Sequence, residues 1–184
     1  MTHPAIIINP NALKLLDDIQ KKVDKEMEVL QEIPVSILIW GPNPDGDTEL
    51  AKLRLELRDT LNLDGHLAQF SEDLIVKNKI SIRMQQLIHA QKFDLIVSLP
   101  STPGTIGEIH DFATDRRVNN KLKVFLNNDY KDGYSFQSLN ALCSILTYGT
   151  VYYNGFTDIQ TIRDSVYDEV SRIREIKYFY EGRI

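Results

Sequence analysis

The 184-residue sequence lacks several features that would place it in particular classes of protein. It has one cysteine, so it cannot form an intramolecular disulfide framework. Its longest uninterrupted apolar runs are only a few residues long, whereas a membrane helix needs about 20 residues. No positively charged segment precedes an apolar core after Met1, as it would in a signal peptide. We therefore expect a cytoplasmic, soluble protein in which Cys143 is a buried thiol.

An excess of positive charge is also absent. Lys and Arg number 21 against 26 Asp and Glu, which gives a net charge of −5. Proteins that bind long nucleic acids carry a basic surface, so we expect no such partner. His3, His66, His89 and His110 do not form a metal-binding pattern, and neither a P-loop nor a Ser-His-Asp grouping is visible. We expect no metal and no bound cofactor.

The hydrophobic residues, 42% of the chain, follow two alternating patterns. Spacings of three and four residues predict helices over 11–32, 49–61, 80–91, 104–117, 135–148 and 158–180. Short apolar runs predict strands over 35–40, 66–70, 93–99, 123–126 and 151–153.

Strands that alternate with helices indicate an α/β fold, because parallel strands need crossover connections that cover both faces of the sheet. Right-handed crossovers limit this arrangement to a three-layer, doubly wound sheet. Five strands favour the flavodoxin-like order 2-1-3-4-5. We expect residues 1–34 to be an N-terminal helical extension and residues 35–184 to be the α/β domain.

The order of the strands also predicts where a ligand would bind. In such sheets, ligands lie beyond the carboxyl ends of the strands, where the strand order reverses. That point lies between strands 1 and 3, which directs attention to the loops after Trp40, Leu99 and Leu126. We expect the function to depend on these loops.

The loop after strand 3 carries the most informative motif, PSTPGTIGE over residues 100–108. Its prolines and glycine favour a tight turn into a helix, whose free N-terminal amides attract anions. Ser101, Thr102 and Thr105 would add hydroxyl donors to a phosphate or a ribose.

Glu108 is the candidate catalytic residue of this motif, and its position allows two interpretations. The spacing from Thr105 to Glu108 is that of a capping box, in which the glutamate only completes the start of the helix. Alternatively, Glu108 lies on the first helical turn close to the ends of the strands. The helix dipole would keep it ionised there, which suits a nucleophile rather than a general acid.

The same motif resembles those of three known families. It is similar to the PGGxGTxEE motif of the lysine-decarboxylase-like nucleotide phosphoribohydrolases, although Ser101 and Thr102 replace two of its glycines. It resembles more closely the SGTxxEIGxA-type signature of the nucleoside 2-deoxyribosyltransferases. The positions in register with that signature are Gly104, Thr105, Glu108 and Ile109, while His110 replaces a glycine. The TIR-domain NAD hydrolases share the layout, with a glutamate on the helix after the third strand.

The resemblance implies an N-glycosidase or (deoxy)ribosyltransferase that cleaves the C1′–N bond of NAD, a nucleoside or a nucleoside monophosphate. Glu108 would act at the anomeric carbon, where cleavage builds positive charge on the sugar ring. The alternative is a non-catalytic module, TIR-like or SLOG-like, that senses a nucleotide or forms oligomers in bacterial antiphage signalling. The resemblance also implies a homo-oligomer. The net charge and the short apolar runs, by contrast, are the reasons to expect no long nucleic acid and no membrane as partner.

Substrate-binding residues are expected on the loops at the same edge of the sheet. Trp40 would stack on a base or fill the core, Glu72 would hold ribose hydroxyls or start a helix, and Asn127 would line the crevice or form a turn. The expected binding residues are Trp40, Gly41, Pro42, Glu72, Asp73, Ser98, Pro100, Ser101, Thr102, Gly104, Thr105, Asn127, Asn128 and Asp129.

Overall fold

A computed structural model describes residues 9–180, except for the side chains of Phe156 and Thr157. The expectations that concern Met1 and His3 lie outside the described residues. The strands are β1 Ser36–Trp40, β2 Leu67–Phe70, β3 Leu95–Ser98, β4 Leu122–Asn127 and β5 Gly149–Tyr153. The α-helices are α1 Pro10–Glu32, α2 Glu49–Leu63, α3 Ile82–Lys92, α4 Pro103–Phe112, α5 Tyr134–Leu146 and α6 Ile159–Tyr180.

The five strands form one parallel sheet in the order β2-β1-β3-β4-β5, which confirms the predicted α/β class and topology. The side chains of β1 alternate between the two faces of this sheet, as the pleat requires. Ile37 and Ile39 pack with α2 and α6, whereas Leu38 and Trp40 pack with α3, α4 and α5. Both faces are therefore covered by helices, as in a doubly wound sheet.

Most predicted helix boundaries differ from the observed ones by one or two residues, and the end of α4 differs by five. Two of these differences have a clear local cause. α4 ends at Phe112 rather than at residue 117, because Asp115 starts a turn in which its side chain accepts a hydrogen bond from the backbone N–H of Arg117. α3 begins at Ile82 rather than at residue 80, because the Ser81 hydroxyl caps the helix at that point. Both differences come from local hydrogen bonds that hydrophobic spacing does not report.

The chain divides into two compact units. One is Pro34–Ile173, which contains the whole sheet. The described part of the other consists of residues 9–33 and 174–180, where Arg174 Nε donates to the carbonyl oxygen of Ile33 at 3.0 Å. The end of α6 is thus grouped with α1, whereas the predicted division at residue 34 assigned all of α6 to the α/β domain. Within residues 9–180, no helix has the length and apolarity to cross a membrane.

Candidate active site

Two cavities lie beside each other at the carboxyl end of the sheet, where the strand order reverses, and Thr102 borders both. The first, of about 520 Å³, is called here the acidic cavity. It is lined by Gly41, Asn43, Ser71, Glu72, Ile75, Ile82, Gln86, Thr102, Gly104, Thr105 and Glu108. The second, of about 600 Å³, is called the aromatic cavity. It is lined by Pro42, Thr48, Leu50, Pro100, Ser101, Thr102, Ile106, Leu126, Asn127, Tyr130, Gly133, Tyr134, Ser135, Phe136, Leu139 and Tyr153.

Thr102, not Thr105, caps the N-terminus of α4. Its hydroxyl oxygen accepts a hydrogen bond from the backbone N–H of Thr105 at 3.3 Å. Pro103 follows at the first helical position, where proline is favoured because no backbone donor is needed there. Glu108 therefore lies on the second turn of α4, beyond the position from which a side chain completes a capping box. The capping interpretation of Glu108, and its expected place on the first turn, are both wrong.

The environment of Glu108 changes its affinity for protons. Burial raises its pKa from the usual 4.5 to about 7, and the negative charge of Glu72 adds to this rise. A hydrogen bond from the Gln86 amide and the positive charge of Arg54 oppose the rise but do not cancel it. Near neutral pH the Glu108 side chain is thus present both as a carboxylate and as a carboxylic acid. The helix dipole alone predicts a carboxylate, which would not suit acid catalysis.

An ion pair between the buried Arg54 and the half-exposed Glu72, which was not predicted, underlies the acidic cavity. The Arg54 guanidinium donates to both carboxylate oxygens of Glu72, at 2.6 and 2.7 Å. Arg54 interrupts the apolar face of α2, between Leu53 and Leu57. A charged residue on an otherwise apolar helix face was the available signal, because arginine is almost never fully buried unless it is paired.

The structure brings most of the predicted binding residues to the two cavities. Those in the acidic cavity are Gly41, Glu72, Thr102, Gly104 and Thr105, together with Glu108. Those in the aromatic cavity are Pro42, Pro100, Ser101, Thr102 and Asn127. Other lining residues were not predicted: Gln86 and Asn43 in the first cavity, and Tyr134, Phe136 and Tyr153 in the second. Asn43 lies on the loop after β1, which was expected to border the site. The others lie on α3, on α5 or at the end of β5, so only the fold brings them to the site.

Two of the predicted binding residues lie in the core instead. Trp40 has no exposed surface, and its ring packs against Phe112 with the centroids 5.4 Å apart. It cannot stack on a base, so the expected binding role does not hold. Ser98, at the end of β3, is also fully buried and does not border either cavity. Both side chains point into the layer between the sheet and its helices, a direction set by the pleat.

Three further predicted residues lie at the same edge of the sheet but outside the cavity walls. Asp73 is exposed on the short 3₁₀ turn that follows β2. The Asn128 amide donates to Asn154 Oδ1 at 3.1 Å, and the backbone N–H of Asp129 donates to Asn127 Oδ1 at 2.9 Å. The asparagine side chains thus stabilise the loop after β4, which matches the alternative that this segment is a turn.

The charge of the site is negative. Glu72 and Glu108 are the charged residues among the described residues that line the two cavities, and no Lys, Arg or His is found in that set. In the part of the chain that the structure describes, no three His, Cys, Asp or Glu side chains come together as a metal site requires. The site can therefore accept hydrogen bonds and stabilise positive charge, but it offers no cationic side chain to an anion.

Comparison of the chain with protein-family models and with curated proteins finds no match in either.

Proposed function

We propose that this protein cleaves the N-glycosidic bond of a nucleoside, with the sugar in the acidic cavity and the base in the aromatic cavity. The observation that carries this proposal is Glu108, a largely buried glutamate with a pKa raised to about 7. It borders a cavity where the strand order reverses, the usual ligand site of such sheets. Strongly perturbed titratable groups in clefts are typical of active sites.

The burial that raises the pKa of Glu108 is also what would make it effective at an anomeric carbon. A carboxylate that is removed from water loses the hydration that would stabilise its negative charge. When the C1′–N bond breaks, its electron pair leaves with the base and the sugar ring becomes positively charged, and that charge compensates the carboxylate in a medium of low dielectric constant. Water then completes the reaction, because its oxygen bonds to C1′ and one of its protons goes to the base. The interaction is stronger in the transition state than in the ground state, which is the condition for catalysis.

The charge of the lining favours a nucleoside over its phosphorylated forms. A phosphate in the acidic cavity would lie near two carboxyl groups, and no cationic side chain among the described lining residues would offset that repulsion. Arg54, the cation that underlies this cavity, is 1% exposed and already bonded to Glu72 and to backbone carbonyls. Both NAD and nucleoside monophosphates are therefore less favoured than an uncharged nucleoside.

The aromatic cavity suits a flat base. Tyr130, Phe136 and Tyr153 supply rings, and Leu126 and Leu139 supply further apolar surface. Small-molecule sites are typically concave and apolar with a few polar groups, which Asn127 and the hydroxyl residues provide here. Because Thr102 borders both cavities, one molecule can extend from the first into the second.

The test is release of free base. The protein is incubated with ribonucleosides, 2′-deoxyribonucleosides, their monophosphates and NAD, and the products are separated by chromatography. We expect base from nucleosides, and a loss of at least about 100-fold in kcat for Glu108→Gln, as for removal of a main electrostatic stabiliser. Glu56→Gln is the matched control, because Glu56 is exposed on α2 and does not border either cavity.

Two outcomes would contradict the proposal. If Glu108→Gln retains the activity of the control, then Glu108 is not the catalytic group. If no compound releases base but a nucleotide raises the melting temperature, the protein senses nucleotides instead. Preference for NAD or a monophosphate over the nucleoside would refute the charge argument while leaving the reaction itself in place.

A further inference from the structure

The carboxylate of Glu72 accepts hydrogen bonds from Arg54, a side chain that is buried beneath it. Arg54 is 1% exposed, and its guanidinium stacks on the ring of Phe70 with 4.2 Å from the central carbon to the ring centroid. Its two terminal nitrogens also donate to the carbonyl oxygens of Ile39 and Pro42, each at 2.7 Å. These hydrogen bonds hold the Arg54 guanidinium at the end of β1 independently of its bonds to Glu72.

The space for this arrangement depends on Gly41. A Cβ atom built on Gly41 would lie 2.9 Å from Arg54 Cδ, which is closer than real contacts allow. The loop after β1 thus passes directly against the arginine stem. Arg54 connects the end of β1 with the segment that follows β2, and its two hydrogen bonds orient the Glu72 carboxylate.

Glu72 has acceptor capacity left for a ligand. Its side chain is 48% exposed, and it borders the acidic cavity together with Glu108. Burial alone would raise the pKa of Glu72, but hydrogen bonds from Arg54 and from the backbone, with the charge of Arg54, lower it overall. An ionised carboxylate has about four acceptor positions and no donor. Arg54 occupies one position on each oxygen, and the Ser71 hydroxyl donates to Oε2 at 3.3 Å. One position on Oε1 is left, and a ligand group that binds there must donate.

We propose that Glu72 Oε1 accepts a hydrogen bond from the 2′ hydroxyl of the sugar, with Arg54 as its positioning residue, so that the site selects ribonucleosides over 2′-deoxyribonucleosides. The inference rests on the proposed function, which brings C1′ to Glu108. The carbon next to C1′ carries the 2′ hydroxyl, which can donate to the remaining acceptor position on Glu72 Oε1. A sugar without the 2′ hydroxyl leaves a carboxylate oxygen without its donor, which is penalised strongly in a built site.

The selectivity ratio is the measurement that separates this role from a structural one. For the wild type we expect kcat/KM to be at least about tenfold higher for a ribonucleoside than for its 2′-deoxy analogue, as for a hydrogen bond to a charged group. In Glu72→Gln this ratio should fall towards one, mainly because kcat/KM for the ribonucleoside decreases. Arg54→Lys should lower the same ratio, because lysine lacks the two-pronged donor that orients both oxygens. Glu56→Gln should keep the wild-type ratio.

Binding without catalysis keeps the inference testable if the reaction is absent. Calorimetric titration of Glu108→Gln protein with the ribonucleoside and with the 2′-deoxyribonucleoside should show the same preference, and the double variant with Glu72→Gln should lose it. A wild type that prefers the deoxy sugar, or a Glu72→Gln variant that weakens both sugars equally, would overturn the inference. If Arg54→Lys does not fold, the Glu72→Gln comparison decides alone. Absence of base release with retained ribose preference would refute the proposed function only.

Discussion

Replacing Glu108 by glutamine should make the stability of the protein less dependent on pH. Burial raises the pKa of this carboxyl group from 4.5 to about 7, so the native state binds the proton more tightly than the unfolded chain does. The stability that this group contributes is therefore fully present below pH 4.5 and is lost as the pH rises through about 7. Glutamine stays neutral over this range, so the variant does not suffer the loss.

The size of the effect follows from the two pKa values. One pKa unit corresponds to about 1.4 kcal/mol, so the rise from 4.5 to about 7 corresponds to about 3 kcal/mol in the free energy of unfolding. Small proteins are stable by only about 5–15 kcal/mol, which makes the effect readily measurable. Between about pH 4 and about pH 9, Glu108→Gln should gain about 3 kcal/mol relative to the wild type.

Urea unfolding at a series of pH values measures this difference. The one tryptophan, Trp40, is fully buried and supplies the fluorescence signal. Other carboxyl groups change the stability of both proteins alike, so the quantity of interest is the difference between wild type and variant at each pH. Glu28→Gln, at an exposed position of α1, controls for the same substitution. A difference that stays constant from acid to alkaline pH would refute the reasoning.

The hydrogen bond from Gln86 to Glu108 offers a second check on the same group. This bond lowers the pKa of Glu108, against the larger effect of burial. Gln86→Leu removes the donor and should raise the pKa further. The carboxyl carbon of Glu108, followed by NMR over a pH series, should then titrate at a higher pH than in the wild type, and an unchanged or lower midpoint would contradict this account.

Further predictions concern packing. Gly41→Ala should cost about 1–3 kcal/mol in urea unfolding, because the new Cβ meets Arg54 at 2.9 Å. Gly107→Ala, in open space on an exposed helix position, should instead stabilise by about 0.5–1 kcal/mol. The Cys143 thiol is 1% exposed and burial raises its pKa to about 12, so it should react with a thiol reagent in urea but not in the native state. The fluorescence of Trp40 should be blue-shifted and resist quenching by iodide, which an exposed ring would not.

The fold was predictable because each step depended on local patterns or on general rules. Apolar side chains at one spacing mark the helices and short apolar runs mark the strands. Their alternation, with right-handed crossovers, leaves the observed strand order as the favoured one. The end of α4 was mispredicted because the hydrogen bonds of Asp115 outweigh the helical pattern that continues past Phe112.

The candidate site was predictable as a set of loops but not as a set of side chains. The strand order placed the loops after β1, β3 and β4 together, and all of them border the aromatic cavity. Which residues point into the cavities depends on the pleat and on the start of α4. The pleat turns the Trp40 side chain into the core, and the start of α4 places Glu108 beyond the capping position. Arg54 was missed because its partner, Glu72, lies 18 residues away along the chain.

Sequence by itself thus determined the parallel sheet, its strand order and the edge where a ligand would bind, since hydrophobic spacing and chain connectivity decide these. Only the tertiary structure decided the protonation of Glu108. Its pKa depends on burial beneath residues of other elements, on Gln86 from α3 and on Glu72 after β2. Burial and charge act through space, and their sum at one carboxyl group exists only once the chain has folded.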